Sequence, residues 1–154
     1  MTLYVLDTDH LTLYRHGQPA VVRRVESVPA DQLAVTIITV EEQLGGWYAQ
    51  LRQARTADKL TRAYAGLFDV VEGIRRVGVL PFLAPAVQRY LELRKRFPRL
   101  GKLDLAIAAI VLDCGAILVT RNTRDFVQVP QLRLEDWSVE PAEESQAAED
   151  DPTG

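Results

Sequence analysis

The side chains best suited to chemistry are carboxylates spread along the chain: Asp7, Glu42, Asp104 and Asp125. Asp7 closes the run Leu3-Tyr4-Val5-Leu6, whose four apolar residues predict a strand buried on both faces. A carboxylate at the carboxyl end of such a strand stands where open α/β sheets bind their ligands. It is expensive there without a partner or a cation. The competing reading of Asp7-Thr8-Asp9 is a helix cap, from Thr8 or Asp9 or from Asp7 itself, ahead of a helix beginning at His10. Asp104 stands in Lys102-Leu103-Asp104-Leu105-Ala106-Ile107-Ala108-Ala109-Ile110, a segment apolar on nearly every face. A helix of that kind is buried, so its lone carboxylate calls for a cation or, as the alternative, for the helix N-terminal dipole.

These acids meet only if secondary structure brings them to one rim. Residues 33–38 are rich in β-branched side chains and predict a second strand. It runs into Thr39-Val40-Glu41-Glu42, a capping-box pattern that sets Glu42, rather than its neighbour Glu41, in the first turn of the next helix. Residues 116–120 predict a buried strand with Thr120, Asn122 and Asp125 at and beyond its end. The helix holding Asp104 enters that strand. At about 12 residues it is about 18 Å long, enough to carry Asp104 back to the carboxyl edge of the sheet.

The remaining elements follow the same alternation. A short helix covers 10–15, and Pro19 opens a second one. A helix over 59–76, with Leu60, Ala63, Tyr64, Leu67, Val70 and Val71 on one side, pairs with the preceding helix as a hairpin. Residues 78–82 predict a short strand, Pro85 opens a helix, Gly115 gives a left-handed cap and 132–134 an edge strand. The fold class is α/β: a three-layer α/β/α arrangement around a central, mainly parallel sheet of four to five strands.

Carboxylates that converge repel and raise one another's pKa unless a cation intervenes. Oxygen donors without a Cys or His cluster suit Mg2+, with Mn2+ as the alternative. His10 and His16 read as capping or surface residues, not as zinc ligands. Carboxylate-held Mg2+ commonly serves phosphoryl chemistry.

With 154 residues, 47% of them hydrophobic, the chain fits one domain with a full core. The net charge of −3 excludes a globally basic nucleic-acid binder. Six carboxylates and no Lys or Arg lie between Glu140 and Asp151, so the body before them carries 18 Lys and Arg against 15 Asp and Glu. The expected division is a domain over 1–138 and an acidic, disordered tail over 139–154. The single cysteine, Cys114, reads as a buried filler in a reducing compartment. No signal-peptide pattern and no apolar run of membrane-spanning length is present, so a cytoplasmic protein without a membrane segment is expected.

Val5-Leu6-Asp7-Thr8-Asp9 resembles the opening of the PIN domain. Thr39-Val40-Glu41-Glu42, with Gly46 beyond it, resembles that family's second acidic motif. Asp104-Leu105-Ala106-Ile107-Ala108-Ala109, then Leu118-Val119-Thr120-Arg121-Asn122-Thr123-Arg124-Asp125-Phe126, resemble its third and fourth. The resemblance runs from about Leu3 to Trp137 and, at this length, is to the VapC-type toxins of bacterial toxin–antitoxin pairs. It implies a Mg2+-dependent endoribonuclease, a homodimer and inhibition by a small antitoxin protein. Carried over by position, Asp7 and Asp104 are metal ligands, and Glu42 is the third acid. Asn122 stands where many relatives have Asp, so either Asn122 or Asp125 is the fourth member. Thr120 either lines the site or merely ends its strand. For an RNA substrate, Arg94, Arg96, Arg99 and Lys102 form the densest basic segment, with Arg121 as a further backbone contact. The alternatives are a Mg2+-dependent phosphatase or receiver-like domain, which would want a strand-end Lys that is missing here, and a catalytically silent binding module.

Overall fold

The computed structural model describes residues 1–140; the expected tail from Pro141 onward lies outside them. Five short strands form one sheet: β1 (Tyr4–Leu6), β2 (Leu33–Thr36), β3 (Gly78–Leu80), β4 (Ile117–Val119) and β5 (Arg133–Glu135). Their order is β3-β2-β1-β4-β5, and every pairing is parallel. The chain thus builds outward from β1 on one side through β2 and β3, then on the other through β4 and β5. The order reverses between β1 and β4. In open parallel sheets that reversal leaves a crevice at the carboxyl ends, because the connections leave in opposite directions.

The helices are α1 (Thr8–Arg15), α2 (Pro19–Ser27), α3 (Ile37–Gln53), α4 (Ala57–Ile74), α5 (Ala84–Arg96), α6 (Lys102–Cys114) and α7 (Thr123–Phe126). Successive strand residues point to opposite faces, and the core divides accordingly. Val5 and Leu118 pack with Leu105, Ile107, Ile110 and Val111 of α6 and with Leu93 of α5. Leu6 and Val119 pack on the other side with Val21 and Val25 of α2 and with Trp137. Residues 105–111 of α6 are all buried, as an all-apolar helix requires. Gly115 takes φ +64° and ends α6 in the left-handed cap that a glycine accepts without strain.

Several sequence expectations give way. The second strand stops at Thr36, not residue 38, and α3 starts at Ile37. The cap is Thr36, whose hydroxyl accepts from the Thr39 N–H, so the Thr39–Glu42 capping box does not form. Ile37 and Ile38 look like strand residues, but tertiary packing and an available cap override a weak β propensity. Cys114 is exposed at the end of α6, not a core filler. The apolar stripe of α4 splits: Ala63, Gly66 and Val70 face α3, while Leu60, Tyr64, Phe68 and Val71 stay exposed. The α3–α4 hairpin closes on small residues, and at Gly66 any Cβ would collide with the Trp47 ring.

Candidate metal centre

Asp7 follows β1 directly. Its backbone N–H still donates to Val119 O (3.0 Å), the last rung before the strands part. Its carboxylate then becomes the N-cap of α1, accepting the His10 N–H at Oδ1 (2.8 Å). The cap that Thr8 or Asp9 could have supplied is therefore Asp7's own, and α1 starts at Thr8, not His10. Capping and site roles do not compete: one oxygen serves the helix, and the side chain, 12% exposed, still borders the cleft.

Glu42 arrives from α3, in its second turn rather than its first, because the helix begins earlier than the capping box suggested. Thr8 donates to Glu42 Oε1 (2.9 Å), and the Thr8 and Thr39 hydroxyls lie 3.0 Å apart. Since Thr8 spends its one proton on Glu42, Thr39 donates to Thr8. This chain ties the start of α1 to α3 and aims Glu42 at the cleft. Glu41 is exposed and does not border it.

Asp104 lies in the first turn of α6, half-buried, with Gly101 as a cap that offers no side chain. Burial raises its pKa, and the charges of Asp7 and Asp125 raise it further. The Glu42 pKa is also raised, first by burial and then by Asp104, Asp7 and Glu41, against the lowering effect of the Thr8 hydrogen bond. Acids from four separate elements therefore feel one another's charge. Asp7, Thr8, Asp9, Glu42, Asp104, Ile107, Arg121 and Asn122 line one cleft of about 390 Å3, at the crevice where the sheet order reverses.

Beyond β4 the chain turns tightly. Buried Thr120 accepts the Asn122 N–H at its hydroxyl (3.0 Å) and does not border the cleft. Asn122 borders it, and its amide donates to Asp125 Oδ2 (3.2 Å), which leaves the Asn122 carbonyl oxygen free of that contact. Asp125 stands behind Asn122 rather than in the cleft lining. At the rim, Arg121 makes a bidentate ion pair with Asp9 (Nε–Oδ2 2.6 Å, Nη2–Oδ1 3.0 Å). Arg94, Arg96, Arg99 and Lys102 are exposed and none borders the cleft, although Lys102 is two residues from Asp104.

Sequence reasoning missed Thr8, the Asp9–Arg121 pair and His10. His10 is fully buried, contrary to its reading as a capping or surface residue, because α1 turns it inward against the segment after β5. Asp9 and Arg121 are 112 residues apart, and no local pattern links them.

The donors are all oxygen, which fits a hard divalent cation. Among the described residues no group of three or more His, Cys, Asp or Glu closes into a ready-made cage. Mg2+ seldom uses one: it keeps several waters and takes one or two carboxylates directly. An open cleft with raised carboxylate pKa values meets that requirement.

No family model matches the chain. It is 29% identical over 144 residues to the tRNA(fMet)-specific endonuclease VapC of Shigella flexneri, covering 90% of this chain and 100% of that protein. It is 26% identical over 142 residues to ribonuclease VapC1 of Haemophilus influenzae, covering 88% and 98%. The DNA-bound VapBC complex of Salmonella typhimurium contains a similar chain, with TM-score 0.70 and 27% identity over 89% of this chain and 99% of that one. VapBC-1 of nontypeable Haemophilus influenzae shares the fold with TM-score 0.73 over 90% of this chain and 100% of that one. Over nearly its whole length the chain is therefore similar to VapC ribonucleases, and it shares the fold of the corresponding chains in VapBC complexes.

Proposed function

We propose that this protein is a Mg2+-dependent endoribonuclease, the toxin of a toxin–antitoxin pair, and that Asp7, Glu42, Asp104 and Asn122 form its centre. The observation that carries this reading is the meeting of Asp7, Glu42 and Asp104 in one cleft at the crevice of the sheet. Asp7 and Asp104 would hold the cation, with Glu42 and the Asn122 carbonyl as further oxygen donors and Mn2+ as a substitute ion. When bound, Mg2+ eases deprotonation of water and offsets the negative charge that gathers on the phosphate oxygens. Glu42, held by Thr8, orients the attacking water and accepts its proton. Asp125 keeps Asn122 in place and adds to the negative potential that draws in a cation. Arg121, braced by Asp9, stands at the rim where a phosphate would enter.

Arg94, Arg96, Arg99 and Lys102 supply a longer backbone track, so binding weakens as salt rises. The partners in this reading are RNA and a small antitoxin, with a homodimer as the working assembly and the cytoplasm as its compartment. A similarly folded chain of Klebsiella pneumoniae comes from a toxin–antitoxin complex. Among the described residues no helix is long and apolar enough to cross a membrane. Tyr48, Tyr64 and Phe68, exposed on the α3–α4 hairpin, offer the antitoxin an aromatic surface.

The test is RNA cleavage by the purified chain. Transfer RNA is the first substrate to try, because the Shigella flexneri relative is a tRNA(fMet)-specific endonuclease. Cleavage should need Mg2+, stop with EDTA and fall by about 100-fold or more in Asp104→Asn, the several kcal/mol that metal-assisted charge stabilisation supplies. Wild-type rates in Asp104→Asn would end this reading. The receiver-like alternative finds no Lys at the end of any described strand: β1 to β5 run into Asp7, Ile37, Pro81, Thr120 and Asp136.

A further inference from the structure

Behind Asp7 lies a buried imidazole that the proposed reaction does not use. His10 is 0% exposed and sits between α1 and the segment after β5. Its Nε2 receives the backbone N–H of Trp137 (3.2 Å). A peptide N–H can only donate, so Nε2 carries the lone pair and the ring proton lies on Nδ1. Among the described residues Nδ1 makes no hydrogen bond of good geometry, but it faces Asp7 Oδ1 at 3.5 Å. That same oxygen accepts the His10 backbone N–H. The other charged group facing the ring is Asp136, whose Oδ1 lies 3.5 Å from Nε2 and is already engaged by the N–H and hydroxyl of Ser138 (2.9 and 2.6 Å).

The segment that sets the ring is itself well anchored. Trp137 is 3% exposed, its ring lies 5.3 Å from that of Tyr4, and its indole N–H donates to Glu135 (3.0 Å). Arg24 lies over the same indole (4.9 Å) and bonds Glu135 (2.9 Å). The last described turn of the chain is thus packed onto the helix that Asp7 caps.

We propose that His10 is a positioning residue for Asp7: the Trp137 N–H sets its tautomer, and its Nδ1–H, directed at Asp7 Oδ1 from 3.5 Å, biases that oxygen inward electrostatically and leaves the other oxygen for a divalent cation. Partners behind metal-binding carboxylates act in this way, by fixing which oxygen faces the ion. The inference rests on the metal-dependent reading above and extends it to the far end of the domain, since the peptide after β5 sets the ring.

Two substitutions isolate the Nδ1–H. His10→Leu and His10→Asn both remove the acceptor for Trp137, but the Asn amide restores a donor near the Nδ1 position. Mn2+ affinity, read by paramagnetic resonance titration, should fall about 10-fold in His10→Leu and recover most of that in His10→Asn. Melting in EDTA should be lowered alike in the two variants, since both lose the Trp137 acceptor. Equal loss of Mn2+ affinity in both variants, as a purely structural histidine would give, overturns the inference, and so does no loss in either. Imidazole nitrogen NMR of the wild-type chain gives a reading that needs no variant to fold. An Nδ1-protonated ring supports the inference and an Nε2-protonated ring overturns it. A wild-type chain that binds no Mn2+ sinks the metal-dependent reading and this inference together, whereas tight wild-type binding with unchanged His10→Leu sinks only the latter.

Discussion

Asp7→Asn separates the two things that the Asp7 carboxylate does. Asparagine caps a helix about as well as aspartate, so the hydrogen bond from the His10 N–H survives. Stability in EDTA should stay within about 0.5 kcal/mol of wild type, the spread of a substitution that keeps its cap. What is lost is a formal charge in the cleft. Stabilisation by Mg2+ should shrink to near nothing, and RNA cleavage should fall by about 100-fold or more. A melting curve in EDTA and one in Mg2+ distinguish the roles: a large loss in EDTA would mean that the carboxylate mainly supports the fold. This residue also shows what is visible locally. A carboxylate after a buried apolar run is apparent in the sequence, but which oxygen caps α1 and which faces the cleft depends on His10 and Trp137.

At the scale of the element, α3 is the piece on which Glu42 depends. Its cap, Thr36, is fully buried at the end of β2. Thr36→Ala removes that acceptor and should cost about 1 kcal/mol, read as a lower urea midpoint with an unchanged slope. It should also slow RNA cleavage, since Glu42 reaches the cleft from the second turn of α3. Wild-type cleavage in a destabilised Thr36→Ala would show that Glu42 is held by Thr8 alone. The sequence misleads here because Thr36 and Thr39 both fit a cap followed by helix formers. Only the pairing of β2 with β1 and β3 shows where the strand stops. The hairpin is legible in period but not in depth. Leu60, Tyr64 and Val71 fall on one predicted apolar face, and yet α4 packs chiefly on α3 and leaves them in water.

At the scale of the molecule, the crowding of acids makes stability depend jointly on pH and metal. Glu42 and Asp104 both have raised pKa values in the fold, chiefly from burial and then from neighbouring carboxylates. An acid with a higher pKa folded than unfolded stabilises the fold fully below its unfolded pKa. That contribution is lost as pH rises through the folded value. In EDTA, these two groups should therefore lower the melting temperature as pH climbs from the ordinary carboxylate range through their raised values. Mg2+ binds the ionised forms, so the stabilisation it confers should grow across the same window. At about 100 times its dissociation constant the ion adds about 2.7 kcal/mol. Calorimetric melting with and without Mg2+ across that range checks this, and a metal-induced gain indifferent to pH would contradict it.

The sequence by itself determined the class of the fold and the identity of the main acids. Alternating apolar strands and helices allow little besides a covered parallel sheet. A lone Asp in the all-apolar α6 and an Asp at the end of β1 stand out because burial makes charge costly. Tertiary structure alone decided how those acids are held. The Thr39–Thr8–Glu42 chain, the Asp9–Arg121 pair and the His10–Trp137 contact join residues 31 to 127 positions apart. Hydrogen bonds over such separations leave no trace in local periodicity, since either partner, taken alone, looks like an ordinary surface or capping residue.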